Sequence, residues 1–391
     1  MYFQTLDDKS DCVGLYTNGA LHFKDMPTGL SRTWKYTGSV RDPQIEYAWL
    51  YANGTGLKDS CPPEARDTLE ANQKRFRAYL KSFEIGKIDL REHCFFDLVP
   101  ESFLMEFCDI KNVITKHIFE TRARPENYDL LDGIAKLLHK IRYQNLNLNK
   151  EGCRELYHSS MGRRKANELI KGHYYIDYNL FGTVTGRLTT LPNSCPILTL
   201  KKEFRRLIKP RNDWFISLDY NGAEVRTFLD LSGIEQPRGD IHEWNMNNIF
   251  DTGIDRDTAK TLFFGWLYNP ESDAIKTEYY DRKKVLDKWY DGGYIKTPYK
   301  RKIQVEERKA LNYLIQSTTS DRVLSRAIEI DKFLEEKKSF ISHIVHDEIV
   351  IDFDDAERVL ITDVKKIFEK DNYKANVQAG KNYLDLGELR I

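Results

Sequence analysis

The chain has 391 residues, 41% of them hydrophobic and 31% charged, and its 60 basic and 60 acidic side chains cancel. That length predicts two to four compact units rather than one ordinary domain. Zero net charge excludes a uniformly basic nucleic-acid binder, so any such surface must come from local segregation of charge.

Residues 1 to about 105 mix short strand-like runs with turns. Within them Cys12–Phe23 carries a hairpin signature, because Asn18-Gly19 supplies the positive φ angles of a tight turn between alternating strands. From about 100 to 170 the pattern is helical: Leu130, Ile134, Leu137, Leu138 and Ile141 recur as on one apolar helix face. Asn145-Leu146-Asn147-Leu148-Asn149 breaks this pattern, and Gly162-Arg163-Arg164-Lys165 reads as a basic turn into another helix. A mixed strand region is expected from about His173 to Asp230, and helices from about Asp240 to Glu336. Strands return at Phe340–Phe353, followed by a helix over 356–370 and a terminal extended segment. The order is sheet, helical insertion, sheet.

Basic residues cluster at Lys201, Lys202, Arg205, Arg206 and Lys209, and again at Lys296, Lys300, Arg301 and Lys302; either cluster alone reads as a solvated face. The six cysteines are scattered with no C-x-x-C pair, which argues against a zinc site or disulfide framework and fits a reducing cytosol. Met1-Tyr2-Phe3-Gln4 leads straight into Asp7-Asp8-Lys9, not into an apolar leader. No apolar run approaches the roughly 18 residues that cross a bilayer. A soluble cytoplasmic protein is expected.

Chemistry concentrates in three places. Trp214-Phe215-Ile216-Ser217-Leu218-Asp219 ends an apolar run on a carboxylate, and Asp347 lies between Ile344-Val345 and Ile349-Val350. An aspartate inside so apolar a strand is costly unless it is paired or bound to a cation. In that strand His346 and Glu348 are expected on the face opposite Asp347. Two such aspartates on neighbouring strands suit two Mg²⁺ ions shared with substrate phosphate; the alternative for either is a structural ion pair or cap. Between them Arg256, Lys260, Phe264 and Tyr268 fall at steps of four on one helix face. Its cationic end suits a triphosphate and its aromatic end a base and sugar. An ordinary amphipathic helix would explain the same spacing, but not Gly265, which costs about 1 kcal/mol against Ala in mid-helix.

These residues resemble those of family A (DNA polymerase I-like) DNA polymerases, the phage replication type most closely, from about residue 125 onward. Asp219-Tyr220 through Glu224 and Arg226 is similar to motif A, the Arg256–Tyr268 spacing to the fingers helix, and His346-Asp347-Glu348 to motif C. Thr185-Gly186-Arg187-Leu188, Asp240-Ile241-His242, Glu307–Asn312 with Ile315-Gln316, and Gly380-Lys381-Asn382-Tyr383 follow further motifs in the family's order. Asn269, Ser317 and Asn221-Gly222-Ala223 depart from the usual residues, without removing a catalytic group.

The resemblance implies an α+β right-hand fold with thumb, antiparallel-sheet palm and helical fingers, plus a small N-terminal α/β exonuclease-like remnant. The implied division is 1–105 for that degenerate or truncated 3′–5′ exonuclease-like domain and 106–172 for the thumb. The palm takes 173–235 and 339–391, and the fingers 236–338. The implied activity is template-directed extension of a primer 3′ end with dNTPs, in phage DNA replication. Asp219 and Asp347 would bind two Mg²⁺, with Glu348 a secondary carboxylate near them. Arg256, Lys260 and His242 would hold the triphosphate, and Lys260 would protonate the leaving pyrophosphate. Glu224, supported by Tyr268, would exclude a 2′-hydroxyl, and Phe264 would disfavour dideoxynucleotides. Arg187, Arg308, Asn312, Gln316 and His346 would contact the primer–template minor groove or primer end. The implied partners are primer–template DNA, dNTPs and replication accessory proteins, acting with a monomer and no membrane. Residues 1–150 contain no Asp-x-Glu pair, so no proofreading is expected; Tyr128 and Asp132 fit a Tyr-x-x-x-Asp pattern inside an expected helix, where chance explains it. Alternatives are an inert DNA-binding or replication scaffold, which would mark itself by losing Asp219, Asp347 or Lys260, and a single-subunit RNA polymerase, which Glu224 and His346-Asp347-Glu348 disfavour.

Overall fold

Asn18 and Gly19 both take left-handed backbone conformations, at φ 51° and 80°, and this turn matches the twist of the strands it joins. The structure, a computed structural model, describes residues 1–40, 42–171, 174–250 and 253–390. The expected start of a strand region near His173, and the division drawn between 172 and 173, lie outside the described residues. The chain forms two compact units, Met1–Tyr143 and Gln144–Ile391.

In the first unit β1 (Gln4–Asp8), β2 (Asp11–Thr17) and β3 (Ala20–His22) form an antiparallel sheet. The helices α1 (Arg66–Ile85), α2 (Glu101–Thr121) and α3 (Tyr128–Tyr143) follow. Leu6 and Tyr16 from the sheet share a core with Phe83 of α1 and Phe103, Leu104 and Cys108 of α2. Helix α3 buries Leu131, Ile134, Leu137, Leu138 and Ile141, whereas Leu130, expected on that face, is half-buried. Tyr128 accepts the Tyr47 amide at 2.9 Å and Asp132 pairs with Lys136 at 2.6 Å, so both serve packing here.

In the second unit α4 (Ser160–Lys171) begins before Gly162, because the Ser159 hydroxyl accepts the Gly162 amide at 3.0 Å and caps the first turn. The expected basic turn at Gly162–Lys165 is therefore helix. The chain continues through β4 (Trp214–Tyr220), α5 (Ala223–Ser232), α6 (Ile241–Asn248), α7 (Arg256–Tyr268) and α8 (Arg282–Trp289). Next, β5 (Tyr290–Asp291), β6 (Tyr294–Lys296) and β7 (Lys302–Gln304) form a small antiparallel sheet inside the stretch expected to be helical. Its sequence signal was Gly292-Gly293, both at positive φ in the turn between β5 and β6. The 27-residue α9 (Glu307–Phe333) leads to β8 (Phe340–Val345), β9 (Glu348–Phe353), α10 (Ile361–Phe368), β10 (Ala375–Gly380) and β11 (Leu386–Glu388).

The main sheet is antiparallel in the order β8-β9-β4-β10-β11, so β4 lies at its centre, paired on both edges. Helices α5, α7, α8 and α9 share one apolar core: Phe228 and Leu229, then Phe263, Trp266 and Leu267, then Val285, then Leu314 and Ile315. Truncating a fully buried Phe such as Phe263 to Ala costs about 3–5 kcal/mol. That core fixes α7 and its polar face relative to α5, which starts three residues beyond β4. The order sheet, helical insertion, sheet is the one expected. Among the described residues no helix is long and apolar enough to cross a membrane.

Candidate active site

Position in the sheet sets the floor of the site. Asp219, at the end of β4, lies opposite Glu348 on β9 and Asn376 on β10. Val345 pairs with Glu348, which leaves His346-Asp347 as a two-residue turn with His346 at φ 57°. This corrects the expectation of one strand running through Asp347 from Ile344-Val345 to Ile349-Val350. Asp347 is in the turn, and Glu348, register partner of Asp219, shares the face of Asp219. The strand ends there because His tolerates the left-handed region better than the β-branched residues beside it.

Asp219 and Asp347 are both half-buried. Burial first, then the charges of Asp347 and Glu348, push the Asp219 carboxyl up to about 8, and Lys260 pulls it partly back. Glu348 does not line the cleft; its two oxygens accept the Ser217 hydroxyl at 2.6 Å and the Tyr383 hydroxyl at 2.9 Å. Among the described residues no group of three or more His, Cys, Asp or Glu stands ready to hold a metal ion. The donor set nevertheless fits Mg²⁺. It offers hard carboxylate oxygens whose mutual repulsion a cation relieves, and Mg²⁺ commonly takes one or two carboxylates plus water and substrate phosphate.

Helices α6 and α7 form the wall. Asp240 caps α6 by accepting the His242 and Glu243 amides at 2.9 and 3.0 Å, and it accepts two Arg256 donors at 3.2 and 2.7 Å. Burial works against its charge, but Arg256, the Glu243 amide and Asn221 overcome this and hold the carboxyl well below the usual range. His242 is buried, with Nδ1 unpartnered, and burial pushes its imidazole down to about 4, so it is neutral at pH 7. Lys260 is exposed one turn beyond Arg256, and Phe264 stacks on Tyr268 with ring centroids 5.9 Å apart. A Cβ at Gly265 would meet nothing within 4 Å, so packing does not demand glycine there and the surface beside Phe264 is open.

Glu224 opens α5 and is gripped at both oxygens. Arg187 Nη2 pairs with Oε1 at 2.5 Å, and the Tyr268 hydroxyl donates to Oε2. Gly222, at φ 68°, makes this geometry possible: a Cβ there would lie 2.3 Å from Ile241 Cγ2. Ile241 of α6 therefore packs directly against Gly222.

A cleft of about 430 Å³ gathers Arg187, Asp219, Glu224, His242, Arg256, Lys260, Phe264, His346 and Asp347. Tyr268 joins them through Glu224. Arg308, Asn312 and Gln316 lie outside this cleft, at steps of four along α9; Gln316 donates to Asn312 at 2.6 Å and Arg308 is exposed. The sequence reading assigned no role to Asp240, Asn221 or Asn376. Asp240 was discoverable as a helix cap, whereas Asn376 reaches the cleft only through sheet register.

The geometry first defines a class: a carboxylate pair on an antiparallel sheet, facing a basic and aromatic helix across a cleft. Among solved structures the chain is similar to the POL domain of Pol1 from M. smegmatis in complex with DNA primer-template and dNTP. The TM-score is 0.57 at 14% identity, covering 72% of this chain and 76% of that one. That likeness shows the fold, an α+β polymerase fold. In sequence the chain is similar to DNA polymerase I of Chloroflexus aurantiacus, 24% identical over 280 residues, 56% of this chain and 30% of the relative. It is also similar to the thermostable DNA polymerase I of Thermus thermophilus, 28% identical over 242 residues, 48% of this chain and 29% of the relative. The chain thus spans less than a third of either relative's length. No family model matches it. Sequence and fold thus point the same way: the relatives are DNA polymerases I and the solved structure is a Pol1 POL domain.

Proposed function

We propose that the chain is a template-directed DNA polymerase that extends a primer 3′ end with dNTPs. The observation that carries this is one cleft, in a polymerase fold, where Asp219 and Asp347 face Arg256, Lys260 and Phe264. Asp219 and Asp347 would hold two Mg²⁺, which when bound activate the attacking hydroxyl and stabilise the leaving oxygen. Arg256, with its guanidinium oriented by Asp240, and neutral His242 would bind the triphosphate. Lys260 would donate a proton to the pyrophosphate oxygen as it leaves. Phe264, stacked on Tyr268, would offer a face to the incoming base, and Gly265 lets that base approach α7. Glu224 would stand where a ribose 2′-hydroxyl would collide. Asn312, Gln316 and Arg308 on α9, with Arg187 and His346, would follow the primer–template.

The same reading makes 106–172 the thumb, 173–235 with 339–391 the palm, and 236–338 the fingers. It makes 1–105 an exonuclease-like remnant without proofreading, supported by the lack of an Asp-x-Glu pair within residues 1–150 and, beyond that segment, by the packing roles of Tyr128 and Asp132. A phage replication role rests on motif resemblance. A cytoplasmic monomer working with accessory proteins completes the proposal, in keeping with six free cysteines. Primer extension with Mg²⁺ tests the activity, and the same labelled, mismatched primer without nucleotides tests proofreading. Extension without shortening is expected; absence of templated extension would refute the first claim and Mg²⁺-dependent shortening the second.

A further inference from the structure

We propose that Arg187 is a positioning residue for sugar discrimination, acting through its ion pair with Glu224; this rests on the reading of Glu224 as the wall against a 2′-hydroxyl. A glutamate side chain turns about three bonds, and a carboxylate with no fixed partner swings aside when a hydroxyl presses on it. Glu224 has no such freedom. Tyr268 grips Oε2 from the last turn of α7, and Arg187 grips the other oxygen, Oε1, at 2.5 Å. The Glu224 side chain is 14% exposed and that of Arg187 38%, so this pair sits at the cleft's edge and is partly shielded from water.

The loop that presents Arg187 is itself built for rigidity. The Thr183 hydroxyl donates to the Arg187 carbonyl at 2.8 Å, and the Ser320 hydroxyl of α9 donates to the Gly186 carbonyl at 3.0 Å. Gly186 lies at φ 79°, and a Cβ there would sit 2.5 Å from the Arg301 guanidinium carbon. Arg301 in turn makes a buried, two-point pair with Asp321 of α9 at 2.9 and 2.6 Å. A chain of contacts therefore runs from α9 through Arg301 and Gly186 to Arg187 and ends on Glu224. Of the two grips on the carboxylate, the one from Arg187 is anchored in α9 and the one from Tyr268 belongs to α7. Arginine carries five N–H donors, so pairing with Glu224 leaves others for a primer end.

The test is single-nucleotide incorporation by the full chain on a primer–template with Mg²⁺. It measures kcat and KM for a dNTP and the matching rNTP in wild type, Arg187→Ala, Arg187→Lys, Glu224→Ala and the Ala double variant. Arg187→Ala is expected to lower dNTP-over-rNTP selectivity about tenfold, as for loss of one charge-assisted hydrogen bond, mainly through a lower KM for the rNTP. Arg187→Lys is expected to restore most of that selectivity. In the Glu224→Ala background, Arg187→Ala is expected to change it by less than about twofold, because coupled groups are not additive. If Arg187→Ala slows both nucleotides alike while Glu224→Ala shifts their ratio, the role of Arg187 is overturned and the wall stands. If Glu224→Ala leaves the ratio unchanged, the wall reading fails and this inference with it. Should Arg187→Ala not fold by thermal melt, Arg187→Gln takes its place, with the same outcomes deciding.

Discussion

In the first unit, three carboxylates meet opposite charges or hydroxyls: Asp132 pairs with Lys136 through one oxygen, Asp7 accepts the Thr5 and Thr37 hydroxyls, and Glu46 lies beside Arg32 and Arg124. In the second unit, Asp219 stands against the like charge of Asp347 in the cleft and of Glu348 just outside it. Both units bury enough apolar surface for their own cores, so stability does not explain the difference. Gathered negative charge raises the energy of the folded chain, and a bound cation lowers it. The contrast separates polar residues that hold the fold together from those that wait for a ligand.

The largest expected effect on this comparison comes from the carboxylates. Asp219→Ala should reduce single-turnover primer extension on the order of a thousandfold or more while leaving the chain folded by circular dichroism. Lys260→Ala should slow the same step on the order of a hundredfold, with a smaller change in dNTP affinity, if its proton assists the leaving group. An unchanged rate in Lys260→Ala would remove Lys260 from the chemistry.

Acid sensitivity should instead belong to packing. Burial, reinforced by Arg205, pushes the His343 imidazole from its ordinary 6.5 down to about 3. Below about pH 6.5 the unfolded chain binds a proton that the folded chain refuses. This contribution is therefore full above pH 6.5 and is lost as the pH falls toward 3. The ring packs edge-on to Phe215 and Tyr383, contacts a phenyl ring can keep. His343→Phe should therefore narrow the gap between melting temperatures at pH 7 and pH 5, by roughly 2–4 °C for each kcal/mol recovered. An unchanged gap would place the acid sensitivity elsewhere. The smallest effect is expected in the first unit. Asp132→Asn loses a partly exposed pair worth at most about 1 kcal/mol by chemical denaturation, and extension should not change. A loss of activity there would break the contrast between the units.

Much of the cleft was legible in the sequence because its elements are local. The four-residue spacing of Arg256, Lys260, Phe264 and Tyr268 puts them on one face of α7 wherever that helix packs. Asp219 is marked by the apolar run of β4 before it. What escaped depends on long-range register or on turn chemistry. The apolar run from Ile344 to Val350 reads as one strand, and only the left-handed His346 makes it a hairpin with Asp347 in its turn. Arg187 reads as a DNA contact by motif resemblance, and its pairing with Glu224, 37 residues away, exists only in the folded chain. The small sheet over 290–304 was hidden within a mostly helical stretch, although Gly292-Gly293 marked its first turn.

The most direct test of the central claim is incorporation of one nucleotide onto a labelled primer, with wild type and Asp347→Ala compared in Mg²⁺. The account predicts that wild type adds only the dNTP complementary to the template and that Asp347→Ala adds essentially none. Addition at the wild-type rate by Asp347→Ala would contradict it, because the turn carboxylate would then have no part in the transfer.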